Sequence, residues 1–99
     1  MGDFEWDPEK ELLNIEKHGI DFSAAKLIWD GPVFERIDHR HDYGEVRLQA
    51  FGVLDDRVLT VIFTWRQQIR RIISARRANF HEKRLYEAEI AKLDSPPRN

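Results

Sequence analysis

The sequence contains no cysteine, and none of its 99 residues belongs to an apolar run long enough to cross a membrane. Without cysteine the chain can form neither a disulfide nor a thiolate centre, so a reducing compartment suits it. The longest uncharged apolar stretches, such as Val61-Ile62-Phe63, are far shorter than the roughly 20 residues of a membrane-spanning helix. The acidic N-terminus MGDFEWDPEK lacks the apolar core of a signal peptide. These absences predict a cytoplasmic protein with no membrane partner.

Composition points to one folded domain. Hydrophobic residues make up 41% of the chain and charged residues 34%, which is typical of a well-solvated globular protein rather than a disordered one. A chain of this length supports a single modest core. We therefore predict one domain over residues 1–94 and a flexible tail over residues 95–99, SPPRN.

The formal net charge of −2 conceals two segments of opposite sign. Residues 1–30 carry eight acidic and three basic side chains, whereas residues 66–84 carry one acidic and seven basic side chains. One explanation is that the two segments neutralise each other, but an exposed ion pair contributes only about 0–1 kcal/mol and rarely dictates such segregation. The alternative is that the basic segment faces a polyanion.

Capping signals and hydrophobic periodicity predict an α+β fold. Asp7-Pro8 starts a first helix that Gly19 ends, with Leu12, Ile15 and Glu16 along one face and Leu13 beside it. Asp21 caps a short second helix. Four strands joined by short turns follow, and the capping-box spacing of Asn79 and Glu82 opens a last helix. The expected architecture is two N-terminal helices, a four-stranded antiparallel meander and a C-terminal helix. The predicted strands are VFERID at 33–38, EVRLQAFGVL at 45–54, RVLTVIFTWR at 57–66 and QIRRIISA at 68–75.

Strand register predicts a cluster of polar side chains on one face of this sheet. A two-residue loop at Asp55-Asp56 aligns Arg47 with Thr64, and a turn at Gln67-Gln68 sets Thr64 opposite Arg71 and Ile62 opposite Ile73. Glu45 and Arg66 then adjoin Arg47, Thr64 and Arg71. The opposite face of the sheet is the core face, and it carries Val46, Leu48, Ala50, Leu54, Leu59, Val61, Phe63 and Trp65. A single cross-strand ion pair would be unremarkable, but three arginines sharing one carboxylate suggest an anion site.

Five sequence blocks together resemble the BrnT toxin family. They are EWDPEK at 5–10, N-x-x-K-H-G-I at 14–20, F-S-A-A at 22–25, H-D-Y-G-E-V-R at 41–47 and R-I-I-S-A-R-R-A at 71–78. The resemblance covers residues 4–87, and it implies a toxin of a type II toxin–antitoxin operon with a fold similar to the RelE ribonucleases. It further implies an RNA substrate, which is either free or on the ribosome. The implied partner is a cognate antitoxin, through which the toxin contacts operator DNA only indirectly.

The clustered residues suit RNA cleavage without a cofactor. Such cleavage requires a base, an acid and cations near the phosphate, and arginine makes paired hydrogen bonds to phosphate oxygens. We assign Arg47 and Arg71 to that task, Glu45 to the role of base or of anchor for an arginine, and His41 to proton transfer. RNA-binding roles are assigned to Arg66, Arg76, Arg77 and Thr64. The pair His39 and His41 is weak evidence for a metal, so we predict none.

Two other functions use the same basic face. A nucleic-acid-binding module would contact phosphates without cutting RNA, and its binding would weaken steeply with salt. An interaction protein would receive an acidic segment of a partner. The second is compatible with a toxin, because an antitoxin could cover the same surface.

Overall fold

A computed structural model describes residues 3–94 of the chain. Within this range lie five strands, three α-helices and one 3-10 helix, and none of the helices is long and apolar enough to span a membrane. The predicted tail at residues 95–99 lies outside the described residues. In chain order the elements are β1 (Asp3–Trp6), α1 (Pro8–His18), α2 (Phe22–Ala25), a 3-10 helix (Lys26–Asp30), β2 (Phe34–Ile37), β3 (Leu48–Leu54), β4 (Arg57–Arg66), β5 (Ile69–Arg77) and α3 (Phe80–Asp94).

The strands form one mixed sheet in the order β1-β5-β4-β3-β2. Strands β2 to β5 make the predicted antiparallel meander, and Leu54 pairs with Arg57 across the predicted loop. The prediction of four strands, all antiparallel, was wrong at one edge, because β1 pairs with β5 in parallel. The four residues of β1 are too few and too acidic to be recognised locally, since their pairing depends on a strand more than 60 positions away.

The structure contains the helix caps that the sequence predicted. Asp7 accepts a hydrogen bond from the backbone N–H of Glu9, and Gly19 closes α1 with a φ of 71°, a conformation that glycine adopts without strain. At the start of α3, the side chains of Asn79 and Glu82 each accept a hydrogen bond from the other's backbone N–H. The α+β class and the helix positions therefore agree with the sequence prediction.

The side of α1 that faces the sheet is polar rather than apolar. Leu12, Leu13 and Ile15 are exposed, and Asn14 is the buried residue of α1. The Asn14 side chain donates to the backbone oxygen of Ala75 and accepts from its N–H, at 2.9 and 3.0 Å. Since β1 ends opposite Ile72, the amide of Asn14 satisfies backbone groups of β5 that β1 does not reach.

The core lies on one face of the sheet, under α2 and the 3-10 helix. Ile28 packs so closely on β3 that a Cβ at Gly52 would lie 2.7 Å from the Ile28 Cβ, so this position requires glycine. Val46 was predicted to join this face, but it precedes β3 and is 63% exposed. The cluster consists of Phe22, Ala25, Ile28, Ala50, Leu59, Val61, Phe63, Ile72 and Ala75. Helix α3 packs on β2, β3 and β4.

A β-bulge in β5 changes the predicted register. Phe63 pairs with Ile72 and Ile62 pairs with Ser74, so Ile73 is the extra residue and the predicted pairing of Ile62 with Ile73 was wrong. A bulge shifts the alternation of side chains by one position. It therefore places Arg71 and Arg76 on the same face of the sheet, although they are five positions apart.

Candidate nucleic-acid interface

Three arginines from separate segments meet at an open cavity of about 160 Å³ beside β5. Arg47 comes from the loop before β3, Arg66 from the end of β4 and Arg71 from β5, with Glu45 between them. We call this the arginine cavity. Its lining residues are Asp7, Lys10, Glu45, Arg47, Arg66, Arg71, Ile72 and Ile73.

Arg71 is positioned by both neighbouring strands. Thr64 of β4 is its cross-strand partner, as the register predicted, and Glu5 of β1 is its partner on the other side. Nη1 of Arg71 donates to Oε2 of Glu5 at 2.7 Å, and about a third of the Arg71 side chain remains exposed. The sequence prediction missed Glu5 because it missed β1.

Arg47 is held by a loop rather than by a strand. Its Nε donates to Oε2 of Glu45 at 3.3 Å, and its guanidinium carbon lies 4.0 Å from the centre of the Tyr43 ring. Its backbone oxygen accepts from the N–H of Asp38 at 2.8 Å. The predicted strand over 45–54 thus begins only at Leu48, and Arg47 reaches the cavity from its irregular N-terminal side.

Thr64 holds this loop in place. The hydroxyl of Thr64 donates to the backbone oxygen of Val46 at 2.7 Å, and its side chain is buried. It does not line the arginine cavity. Although it lies where the register placed it, Thr64 contacts the loop and not the open space.

A buried carboxylate fixes the rest of the loop. Asp38 accepts two hydrogen bonds from the Arg40 guanidinium, at 2.8 and 2.9 Å, and a third from the Tyr43 hydroxyl at 3.2 Å. The hydrogen bond from Arg40 outweighs burial and lowers the pKa of Asp38 to about 2. Asp38 thereby orients the Tyr43 ring on which Arg47 lies. Tyr43 belongs to the H-D-Y-G-E-V-R block, the only sequence signal that pointed to it.

His41 lies beside the arginine cavity rather than in it. Its ring makes an edge contact with the Tyr43 ring, with centroids 5.6 Å apart. It lines a neighbouring cavity of about 410 Å³ together with Glu45 and Arg47. Within residues 3–94 no group of three or more His, Cys, Asp or Glu side chains is arranged to hold a metal ion.

Arg66 is the most exposed arginine at the mouth of the cavity. Just over half of its side chain is accessible, and its Nη2 lies 3.5 Å from Oε1 of Glu45. Glu45 therefore contacts both Arg47 and Arg66.

The other two predicted arginines lie elsewhere. Arg76 makes two hydrogen bonds to Glu82, at 2.7 and 2.8 Å, and lies outside the arginine cavity. Burial acts to raise the pKa of Glu82, but its hydrogen bonds with Arg76 and with the N–H of Asn79 outweigh burial and lower the pKa to about 2. Arg77 alternates to the opposite face, where it borders a cavity with Asp21.

A family model described as "Ribonuclease toxin, BrnT, of type II toxin-antitoxin system" matches residues 6–82. The chain belongs to the BrnT family. The match includes every residue assigned to the arginine cavity, from Asp7 to Ile73. No curated protein sequence matches the chain significantly.

A solved BrnT structure has a similar fold. The chain resembles the 1.1 Å crystal structure of the Brucella abortus ribonuclease toxin BrnT, with 29% sequence identity and a TM-score of 0.60. The match covers 80% of this chain and 99% of the Brucella chain. The α+β architecture is therefore shared with a BrnT toxin over nearly its full length.

Proposed function

We propose that this BrnT-family protein is the toxin of a type II toxin–antitoxin system and that it cleaves RNA in the cytoplasm without a metal ion. Cleavage of messenger or ribosome-bound RNA would inhibit translation, and a cognate antitoxin that also binds operator DNA would neutralise it. The observation that carries the proposal is the convergence of Arg47, Arg66 and Arg71 on one open cavity.

The arginine cavity suits the charge that develops when RNA is cleaved by its own 2′-hydroxyl. The 2′-oxygen forms a bond to the neighbouring phosphorus while the bond from phosphorus to the 5′-oxygen breaks, giving a 2′,3′-cyclic phosphate and a 5′-hydroxyl. Negative charge builds on the non-bridging oxygens in the transition state. Arg47 and Arg71 hydrogen-bond those oxygens, and Arg66 at the mouth binds a flanking phosphate.

Two groups are candidates for moving the protons. Glu45 lines the arginine cavity, yet it already contacts Arg47 and Arg66, which favours the role of an anchor that holds their guanidinium groups in position. His41 shares the neighbouring cavity with Glu45 and Arg47, and imidazole exchanges protons readily near neutral pH. In this proposal His41 makes one of the two transfers, as acid for the leaving 5′-oxygen or as base for the 2′-hydroxyl, and solvent water makes the other.

The remaining assigned residues act indirectly. Thr64 sets the position of Arg47 through the hydrogen bond to Val46. Arg76 ties β5 to α3 through Glu82, and Arg77, on the opposite face, contributes only general positive charge.

A second candidate function is phosphate binding without cleavage. The observation that favours it is the engagement of Glu45 by two arginines, which opposes a role for this carboxylate in moving a proton. Such a module would bind RNA, or an acidic segment of a partner protein, through the same three arginines.

End-group analysis of digested RNA separates these functions. The purified protein is incubated with single-stranded RNA in the presence of EDTA, and the products are mapped and tested for a cyclic phosphate and a 5′-hydroxyl. We expect both ends in EDTA, and Arg47→Ala to reduce their yield roughly tenfold or more. Intact RNA with bound protein would support the second function. Growth arrest on expression, relieved by the neighbouring reading frame, tests the toxin and antitoxin roles.

A further inference from the structure

A second depression of about 440 Å³ adjoins the arginine cavity along α1. Lys10 and Ile73 line both, so the two depressions border each other on the sheet face that α3 leaves open. We call the second depression the α1 groove. Its lining residues are Lys10, Leu13, Asn14, Lys17, His18, Arg40, Ile62, Ile73, Ser74 and Arg76.

Helix α1 directs its positive side chains into this groove and its negative ones away from it. Lys10 and Lys17 are seven residues apart, which places them on one side of an α-helix, and both line the groove. The three glutamates of α1 line neither the groove nor the arginine cavity. The N-terminal segment is acidic in sum, yet it presents a basic surface here.

Lys10 and Lys17 are the unneutralised charges of the groove. Arg40 and Arg76 also line it, but each is paired with its own buried carboxylate, Asp38 or Glu82. Neither lysine forms an ion pair with any side chain in the described part of the chain, residues 3–94. Two free cations next to three arginines repel one another unless an anion lies between them.

The floor of the groove is aliphatic. Ile62 and Ile73 form it from the sheet side, and Leu13, which is 63% exposed, borders it from α1. A nucleotide offers both a charged phosphate and an apolar base face, so a strand of RNA satisfies the lysines and this floor together. From Lys10 to Lys17 the helix rises about 10 Å, which is longer than one nucleotide.

We propose that the α1 groove binds the stretch of RNA next to the scissile phosphate, with Lys17 on a flanking phosphate and Leu13 against a base. This inference rests on the proposed ribonuclease function. Lys10 lies at the junction of the two cavities, where the strand passes from one to the other. His18 lies at the far end of the groove, where burial, Lys17 and Arg76 lower its pKa.

Substrate length tests this assignment. Oligoribonucleotides with 2′-O-methyl groups cannot be cleaved by 2′-oxygen attack, so their binding can be measured at equilibrium. Affinities of a trinucleotide and a nonanucleotide are measured by fluorescence anisotropy over a salt series for wild type, Lys17→Ala, Leu13→Ser and the control Lys83→Ala, an exposed lysine on α3. Circular dichroism confirms that each variant is folded.

We expect Lys17→Ala to weaken nonanucleotide binding about fivefold or more and to reduce the salt slope by roughly 0.7, the value for one phosphate contact on a single strand. Leu13→Ser weakens the nonanucleotide about threefold with no change in the slope. The trinucleotide changes less than twofold in both variants, and Lys83→Ala leaves both lengths at wild-type affinity.

An unchanged affinity and slope for the nonanucleotide in Lys17→Ala overturns the groove assignment. If the wild type still cleaves RNA in that case, only this inference fails; if it neither binds nor cleaves RNA, the proposed function fails with it. A Lys17→Ala variant that loses binding to the antitoxin while retaining full RNA binding shows that the groove is a protein-binding site, which also overturns the proposal.

Discussion

Arg71 and Glu5 lie on adjacent parallel strands, and their side chains meet at 2.7 Å on the border of the arginine cavity. The contact uses one nitrogen of the guanidinium, and the described residues offer Arg71 no other side-chain acceptor. The remaining N–H groups are therefore available to a phosphate. Glu5 orients Arg71, but its negative charge also opposes an incoming anion.

The first prediction concerns the repulsion between the Glu5 carboxylate and an incoming phosphate. Replacing Glu5 with Gln keeps a hydrogen-bond acceptor for Arg71 and removes the negative charge, so RNA should bind about two- to fivefold more tightly. Because the ion pair is partly exposed, stability should fall by no more than about 1 kcal/mol. Binding titration measures the change, and Glu16→Gln, an exposed carboxylate on α1, is the control. Weaker binding by Glu5→Gln would show that the carboxylate is needed to aim Arg71.

The second prediction concerns the aromatic support of Arg47. Tyr43→Ala removes the ring 4.0 Å from the guanidinium, and a cation–π contact of about 0.5–2 kcal/mol corresponds to a roughly two- to thirtyfold loss of cleavage rate. Tyr43→Phe keeps the ring and loses only the hydrogen bond to Asp38, so it should cleave RNA within about threefold of wild type. Equal losses in the two variants would assign the effect to the hydroxyl instead.

The third prediction concerns Asn14. Asn14→Ala leaves the backbone groups of Ala75 without their partner, so the free energy of unfolding should fall by about 2–3 kcal/mol in urea titrations. Leu12→Ala, on the exposed side of the same helix, should cost less than about 0.5 kcal/mol. If Leu12→Ala were the more damaging change, the placement of α1 would be wrong.

Local signals in the sequence predicted much of this fold, and contacts between distant residues account for the errors. The helix caps at Asp7, Gly19 and Asn79 and the hairpin at Asp55-Asp56 depend on neighbouring residues, and all of them hold. The side of α1 that faces the sheet could not be read from periodicity, because Asn14 is buried for its hydrogen bonds and not for its hydrophobicity. The edge strand β1 likewise depends on its pairing with β5, which is distant in the sequence.

In the candidate site, too, local signals were predictable from the sequence and contacts between distant residues were not. Pairing of Arg71 with Thr64 follows from turn length, which sequence reveals. The bulge at Ile73 has no sequence signature, and it decides which side chains beyond it share a face with Arg71. Lys10 was not singled out because it lies in an acidic segment, and only its position beside β5 brings it to the arginines.

The fourth prediction concerns pH. The pKa of Glu82 falls from 4.5 to about 2 on folding, so its stabilising effect is complete above about pH 4.5 and is lost as the pH falls towards 2. Glu82→Gln should therefore lower stability at pH 7 by about 2 kcal/mol and reduce the difference in stability between pH 5 and pH 2.5. Thermal unfolding across this range measures both effects. The exposed Glu87→Gln serves as control, and a wild-type-like acid transition in Glu82→Gln would rule out this carboxylate as its source.

The most direct test of the account compares two arginines of the same strand on opposite faces of the sheet. Single-turnover cleavage rates with saturating enzyme are measured in EDTA for wild type, Arg71→Ala and Arg77→Ala, which lose the same charge. We predict a roughly 10- to 100-fold slower rate for folded Arg71→Ala and a rate within about threefold of wild type for Arg77→Ala. Equal rates for Arg71→Ala and wild type would contradict the assignment of the arginine cavity as the site of cleavage.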